Sequence, residues 1–200
     1  MKYLEERKDL CRIAKSVYDR QLTNAVGGNF SIQVAEKEFL VSATGMSVHK
    51  LWDMQPEDVL LIDDQAHILE GTGKLTREIN MHQQFYQRDP RIKAVMHAHP
   101  KDLMVFAAKG ENMPVVTEAL TYLGADQIPC LPYQPATTQL LADEVGKFIQ
   151  QSTQLTNLEI MAYGAILNKH GIIIGGASLY DCNELLEMME TNAYCVNVTR

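Results

Sequence analysis

The sequence predicts a layered, mixed α/β domain, and three observations carry that expectation. Segments with two-residue alternation are interleaved with segments of helical spacing in an irregular order, unlike the regular succession of a doubly wound sheet. Two stretches, GGNFSIQV followed by EFLVSATG and later MAYGAILNKHGIIIGG, read as hairpins of adjacent strands. Amphipathic helical patterns stand near both ends of the chain. With 200 residues, 46% of them hydrophobic and 22% charged, the chain suits one soluble globular domain spanning 1–200 with a substantial core.

The elements follow in order. Residues 4–19 place Leu10, Ile13, Ala14 and Val17 at helical spacing. GGNFSIQV is a turn running into an alternating strand, and EFLVSATG is its hairpin partner. Pro56, Glu57 and Asp58 punctuate the chain before the apolar strand VLLID, and HILEGTGK leads to another turn. Residues 77–88 carry Ile79, His82, Gln83 and Tyr86 at helical offsets, and Asp89-Pro90 ends that helix. A buried strand ending in KAVMHAHP comes next, stopped by Pro100, which cannot donate to a ladder. A helix is expected over 101–109, short extended pieces at 114–116 and 128–131, and a helix over 138–152. The apolar hairpin of 161–176 precedes a final helix over 179–196, striped by Leu185, Leu186, Met189 and Ala193.

Several function classes are disfavoured by composition. A net charge of −7 without a basic stripe argues against nucleic-acid binding. No run approaches the ~18 apolar residues of a membrane span, and MKYLEERKDL has charges where a leader peptide needs apolar residues. Cys11, Cys130, Cys182 and Cys195 show no CxxC spacing, so free thiols in a reducing cytoplasm are expected. Histidine chemistry is favoured over cysteine chemistry.

The histidines at 97 and 99 carry the sharpest signal. Alternate strand residues share a face, so their alpha carbons stand roughly 6.6 Å apart and both rings can converge on one metal ion. The plainer alternative is a pair of edge-strand histidines facing solvent. His170, beside Gly171 at the mouth of the Ile172, Ile173, Ile174 run, is a candidate third ligand, with Gly171 expected to supply a turn at positive φ. His49, His67 and His82 read as non-ligands. A catalytic metal site often keeps a carboxylate nearby; Glu78 begins the helix that feeds the histidine strand, where a helix N-terminal acid is also commonplace. Gly71-Thr72-Gly73-Lys74 fails the Walker pattern, because Ile68 and Leu75 occupy the required glycine and hydroxyl positions. GGNFS and Ser42-Ala43-Thr44-Gly45 are better candidates for anion-binding turns built on backbone amides.

Taken in order, GGNFS, SATGMSVHKL, a glutamate before a helix, HAHP and NKHG resemble the class II aldolase and adducin-head family. Within it they are most similar to the zinc-dependent sugar-phosphate aldolases of the L-fuculose-1-phosphate aldolase type, over about residues 9–196. The resemblance implies a central, mostly antiparallel sheet flanked by helices. It implies that His97, His99 and His170 bind one Zn²⁺ per chain, with Mn²⁺, Co²⁺ or Fe²⁺ as alternatives. Glu78 matches the glutamate that ligates the resting metal and then acts as acid/base. Gly28 and Asn29, Thr44 and Gly45, and Thr76 with Arg77 match the loops that bind substrate phosphate. The implied activity is retro-aldol cleavage of a small phosphorylated ketose, with the ion stabilising the enediolate. Also implied is a homotetramer with sites at subunit borders.

Three departures qualify the resemblance. Leu75-Thr76-Arg77-Glu78 replaces a Pro-Ser-Ser-Glu run, so Arg77 grips phosphate, recognises a carboxylate, or simply faces solvent. Glu118, in PVVTEALTYLG, falls near a loop tyrosine of the aldolases and near a catalytic glutamate of methylthioribulose-phosphate dehydratases, with Tyr122 close by. The chain also ends at Arg200, where the aldolases continue into a tail that closes the site, so that lid is expected to be absent or trimmed. Alternatives therefore stay open: a dehydratase with Glu118 as base, a decarboxylase or epimerase of the same family, or a non-catalytic adducin-like head.

Overall fold

The computed structural model describes residues 1–152 and 161–199. Its centre is a sheet of eight strands: β1 (Asn29–Ala35), β2 (Glu38–Ser42), β3 (Val59–Asp63), β4 (Ile68–Glu70), β5 (Ala94–Ala98), β8 (Cys130–Leu131), β9 (Ala162–Leu167) and β10 (Gly171–Gly176). They lie in the order β4-β3-β2-β1-β5-β10-β9-β8, every pairing antiparallel except β8 with β9. Two further strands, β6 (Met113–Pro114) and β7 (Gln127–Ile128), form a separate pair. The expected hairpins are β1–β2 and β9–β10.

Helices cover both faces. On one lie α1 (Leu4–Asp19), α4 (Leu103–Lys109), α5 (Glu118–Thr121) and α7 (Leu179–Thr199), closing a core with Phe30, Met96, Ile172 and Ile174. On the other, α3 (Ile79–Arg88) and α6 (Gln139–Ser152) pack over Val95 and Ile173. A short helix, α2 (Met46–Lys50), follows β2. Strand alternation sorts the two sets. In β5, Ala94, Met96 and Ala98 face the α7 side, so Val95 and His97 face α3. Among the described residues no helix is long and apolar enough to cross a membrane.

The structure amends the expected pattern in three places. β5 lies inside the sheet, between β1 and β10, so His97 is not on an edge strand. α3 buries Met81 and Phe85 together with Ile79 and His82, because it packs on α6 as well as on the sheet; Gln83 is only half-buried. Gly171 lies inside β10 without a positive φ, and the left-handed residue in that turn is Lys169, at φ 60°.

Two buried polar anchors escaped the periodicity altogether. Arg7 is 1% exposed, yet every arm of its guanidinium finds a partner: Lys2 O at 2.8 Å, Pro56 O at 3.1 Å, Val59 O, and Glu70 Oε1 at 3.0 Å. Asp89, at the C-terminal end of α3, accepts from Arg91 Nη2 at 2.6 Å and Tyr163 Oη at 3.1 Å, tying the turn before β5 to β9. Burial works to raise the Asp89 carboxyl, but the Arg91 hydrogen bonds outweigh it and hold it below its usual value. A depressed folded value contributes stability above the unfolded value of about 3.9 that is lost as pH falls through the folded one. Asp89→Ala is therefore expected to cost about 1.5–3 kcal/mol near neutral pH and progressively less in acid, as urea melts near neutrality and below the unfolded value will show.

Candidate active site

The sheet brings three distant histidines together. His97 lies in the buried strand β5 one residue before its end, His99 lies just past that end, and His170 sits in the turn between β9 and β10. β10 pairs with β5 at Ile173↔His97, which sets the β9–β10 turn beside the end of β5. One nitrogen from each ring lies within 4.8 Å of the others, and no other such group of metal-binding side chains occurs among the described residues. His49, His67 and His82 stand outside the cluster.

Glycines let the rings approach. A Cβ on Gly27 would sit 2.6 Å from His99 Cε1, and one on Gly171 would sit 2.5 Å from His99 Cδ2. Gly171 is thus required for closeness to His99 and not for a turn. Gly28 does need its freedom, with φ at +107° and the His97 carbonyl 3.0 Å from its would-be Cβ. Gly27→Ala is expected to displace the His99 ring and weaken divalent-metal binding about tenfold or more, read in a zinc competition titration.

Glu78 completes the cluster from α3. It occupies the N-cap position, where the helix dipole favours its charge. Its Oε1 lies 3.1 Å from His170 Nε2, and its Oε2 lies 3.5 Å from His97 Nε2 and accepts from Asn29 Nδ2 at 2.9 Å. Burial works to raise the Glu78 carboxyl, but the His97 and His170 imidazoles and the Asn29 amide outweigh it, so the group is ionised. Burial drives His97 down to about 4, and drives His99 to about 3 with its ring neighbours adding to the shift. Both rings are neutral near pH 7, the form in which imidazole ligates a metal.

The geometry fits a divalent cation. His97 Nδ1 donates to Ile172 O at 2.7 Å, which fixes the tautomer and leaves the Nε2 lone pair facing the cluster. His99 Nε2 lies 3.1 Å from His97 Nε2. Two nitrogens about 2.0–2.1 Å from one tetrahedral zinc would be about 3.3 Å apart, so the pair is close to ligand spacing already. Three imidazoles with one carboxylate is a zinc-like donor set.

An open cleft of about 580 Å³ lies above the cluster, lined by both proposed anion turns. Gly28, Asn29, Thr44, Gly45, Thr76, Arg77 and Glu78 all border it, beside His99 and His170. Gly45 has a φ of +89°, and Thr44 Oγ1 donates to Leu75 O at 3.0 Å, joining one turn to the segment before Glu78. Arg77 is exposed at the rim. The Asn29 side chain is engaged at both ends: Nδ2 donates to Glu78 Oε2 at 2.9 Å and Oδ1 lies 2.5 Å from His82 Nε2.

Glu118 and Tyr122 are not brought to this cleft within one chain. Asn192 Oδ1 accepts from Val116 N and Thr117 N at 2.8 and 3.0 Å, and Leu120 is buried in the α7-side core. That anchoring holds α5 against α7 and leaves Glu118 exposed. His82 is the residue that sequence reasoning undervalued. Its signal was the four-residue spacing of Glu78, His82 and Tyr86.

Comparison with known proteins agrees with this architecture. A 5-deoxy-D-ribulose 1-phosphate aldolase of Bacillus thuringiensis is 25% identical over 97% of this chain and 84% of its own length. A 3-oxo-tetronate 4-phosphate decarboxylase of Haemophilus influenzae is 24% identical over 95% and 86%. A solved L-fuculose 1-phosphate aldolase superposes with a TM-score of 0.82 over 100% of this chain and 89% of that one, at 22% identity, and so shares its fold. Residues 8–196 match the profile described as Class II Aldolase and Adducin N-terminal domain. That match runs from the first helix to the last and takes in the whole histidine cluster, and the chain belongs to the class II aldolase and adducin N-terminal domain family.

Proposed function

We propose that the protein is a divalent-metal-dependent carbon–carbon lyase that cleaves a small phosphorylated ketose by a retro-aldol reaction. The observation that carries this reading is the meeting of three imidazoles with the Glu78 carboxyl on the floor of a cleft rimmed by two glycine turns. The aldolase activity of the Bacillus thuringiensis relative supports it. His97, His99 and His170 would hold one ion per chain, with Glu78 as the resting fourth ligand; zinc suits the donors best, and manganese, cobalt or iron fit the same cage. When bound, the ion supplies Lewis-acid stabilisation of the negative charge that develops on substrate oxygen.

The chain's own groups do the rest. The turns at Gly28–Asn29 and Thr44–Gly45 present backbone amides to the phosphate, with the Thr76 hydroxyl and the Arg77 guanidinium beside them. Glu78 takes up and returns the proton as the carbon–carbon bond breaks, a role worth about 10²–10⁴ in rate. We also propose a homotetramer with sites at subunit borders, in which Glu118 serves the cleft of an adjacent subunit; the exposure of Val116, Glu118 and Tyr122 supports this. A cytoplasmic location is supported by four unpaired cysteines.

A decarboxylase on a phosphorylated 3-oxo acid is the second reading. Arg77 at the cleft rim suits a substrate carboxylate as well as a phosphate, and the Haemophilus influenzae relative is named for that chemistry. A panel of ketose 1-phosphates assayed for dihydroxyacetone phosphate release decides between them. Release from at least one supports the lyase; carbon dioxide from a 3-oxo acid phosphate with none from the ketoses contradicts it.

A further inference from the structure

A continuous line of buried polar groups runs away from Glu78 into the protein. His82 Nε2 lies 2.5 Å from Asn29 Oδ1, His82 Nδ1 lies 2.7 Å from Ser31 Oγ, and Ser31 Oγ lies 2.6 Å from Tyr86 Oη. Asn29, Ser31 and His82 are 4%, 0% and 0% exposed. None of His82, Ser31 or Tyr86 borders the cleft, so substrate contact does not explain them.

Element geometry produces the line. Glu78, His82 and Tyr86 are four residues apart, so they form one stripe of the helix with a rise of about 6 Å per step. Asn29 and Ser31 are two residues apart on β1, about 6.6 Å, and both face α3 because Phe30 and Ile32 face the other core. The two spacings nearly match, so helix and strand residues interdigitate.

The direction of every hydrogen bond follows from one end. Asn29 Nδ2 faces Glu78 Oε2 at 2.9 Å, so Asn29 Oδ1, which can only accept, is the atom that faces His82. His82 therefore carries its proton on Nε2 and accepts at Nδ1 from the Ser31 hydroxyl, which in turn accepts from Tyr86. Burial agrees, pushing His82 down to about 4 and the Tyr86 phenol up. Reversing any link would turn the Asn29 carbonyl toward a carboxylate.

We propose that His82, backed by Ser31 and Tyr86, is a positioning residue: it fixes the Asn29 amide so that its NH₂ holds Glu78 beside His97 and His170. This rests on the metal-site reading above. The device explains why a polar line was retained in a core where Met81 and Phe85 are its neighbours on the same helix.

The test joins spectroscopy to affinity. In the wild-type zinc-loaded protein, ¹⁵N-resolved histidine NMR is expected to show His82 as the Nε2–H tautomer; an Nδ1–H or doubly protonated ring overturns the proposal. His82→Leu, which removes the donor to Asn29, is expected to weaken zinc binding about 10–100-fold in chelator competition and to lower kcat with little change in KM. His82→Gln, whose NH₂ can still donate to Asn29, is expected to recover most of both. Equal losses in the two variants, or none in either while Glu78→Gln weakens zinc, overturn the positioning role and leave the metal site standing. Zinc affinity untouched by both Glu78→Gln and His97→Ala overturns the site and the proposal together. Should His82→Leu not fold, Ser31→Ala carries the same comparison, because it frees the His82 tautomer without touching the cluster.

Discussion

His97→Ala is expected to lower zinc affinity at least about 100-fold, beyond the ~10–100-fold that loss of an outer partner costs a metal site. The ring is fully buried, its Nδ1 is anchored on Ile172 O, and its Nε2 faces both His99 and Glu78. β1 and β10 flank β5 on both sides and hold the ring in place. Turnover should fall with the metal, and excess zinc should restore little of it. Isothermal titration and steady-state assays give the two readings. Unaltered affinity would mean that the three rings are a polar cluster of another kind.

Glu78→Gln is expected to reduce kcat about 10²–10⁴-fold, the range for a positioned acid or base. The substitution keeps shape and leaves an oxygen to accept from Asn29, while removing the charge and the ability to exchange a proton. The fold should hold, since Glu78 sits at a helix terminus with its side chain aimed at the cleft. KM should change less than kcat, because the phosphate turns at Gly28 and Gly45 are intact. A variant with unaltered kcat would assign the proton transfer to another group, with Glu118 the first to examine.

Much of this site was legible because strand geometry is simple. Two histidines separated by one residue share a face of an extended chain, and the apolar run before them made β5, which ends just short of His99, a strand. The helix ahead of it had to return its start to that strand's end, which set Glu78 nearby. His170 was less legible: a turn residue has no periodicity, so its place at the mouth of an apolar run made it only a candidate and family resemblance was needed to match it to a ligand. Gly171 was read by its commonest use, a positive φ, whereas its role is to leave room for the His99 ring. The contact of Asn29 with His82 was not legible, because it depends on α3 packing over β1, a long-range fact with no local signature. Arg7 was invisible for the same reason, a charge on an apolar helix face two of whose three carbonyl partners come from 49 and 52 residues away.

The account depends most on a cation meeting the rings of His97, His99 and His170. A crystal of the protein grown with zinc, with diffraction data recorded on both sides of the zinc absorption edge, measures this directly. The account predicts one anomalous peak per chain, about 2.0–2.1 Å from a nitrogen of each ring and close to Glu78. Full zinc occupancy elsewhere, with no peak among these three histidines, would contradict it.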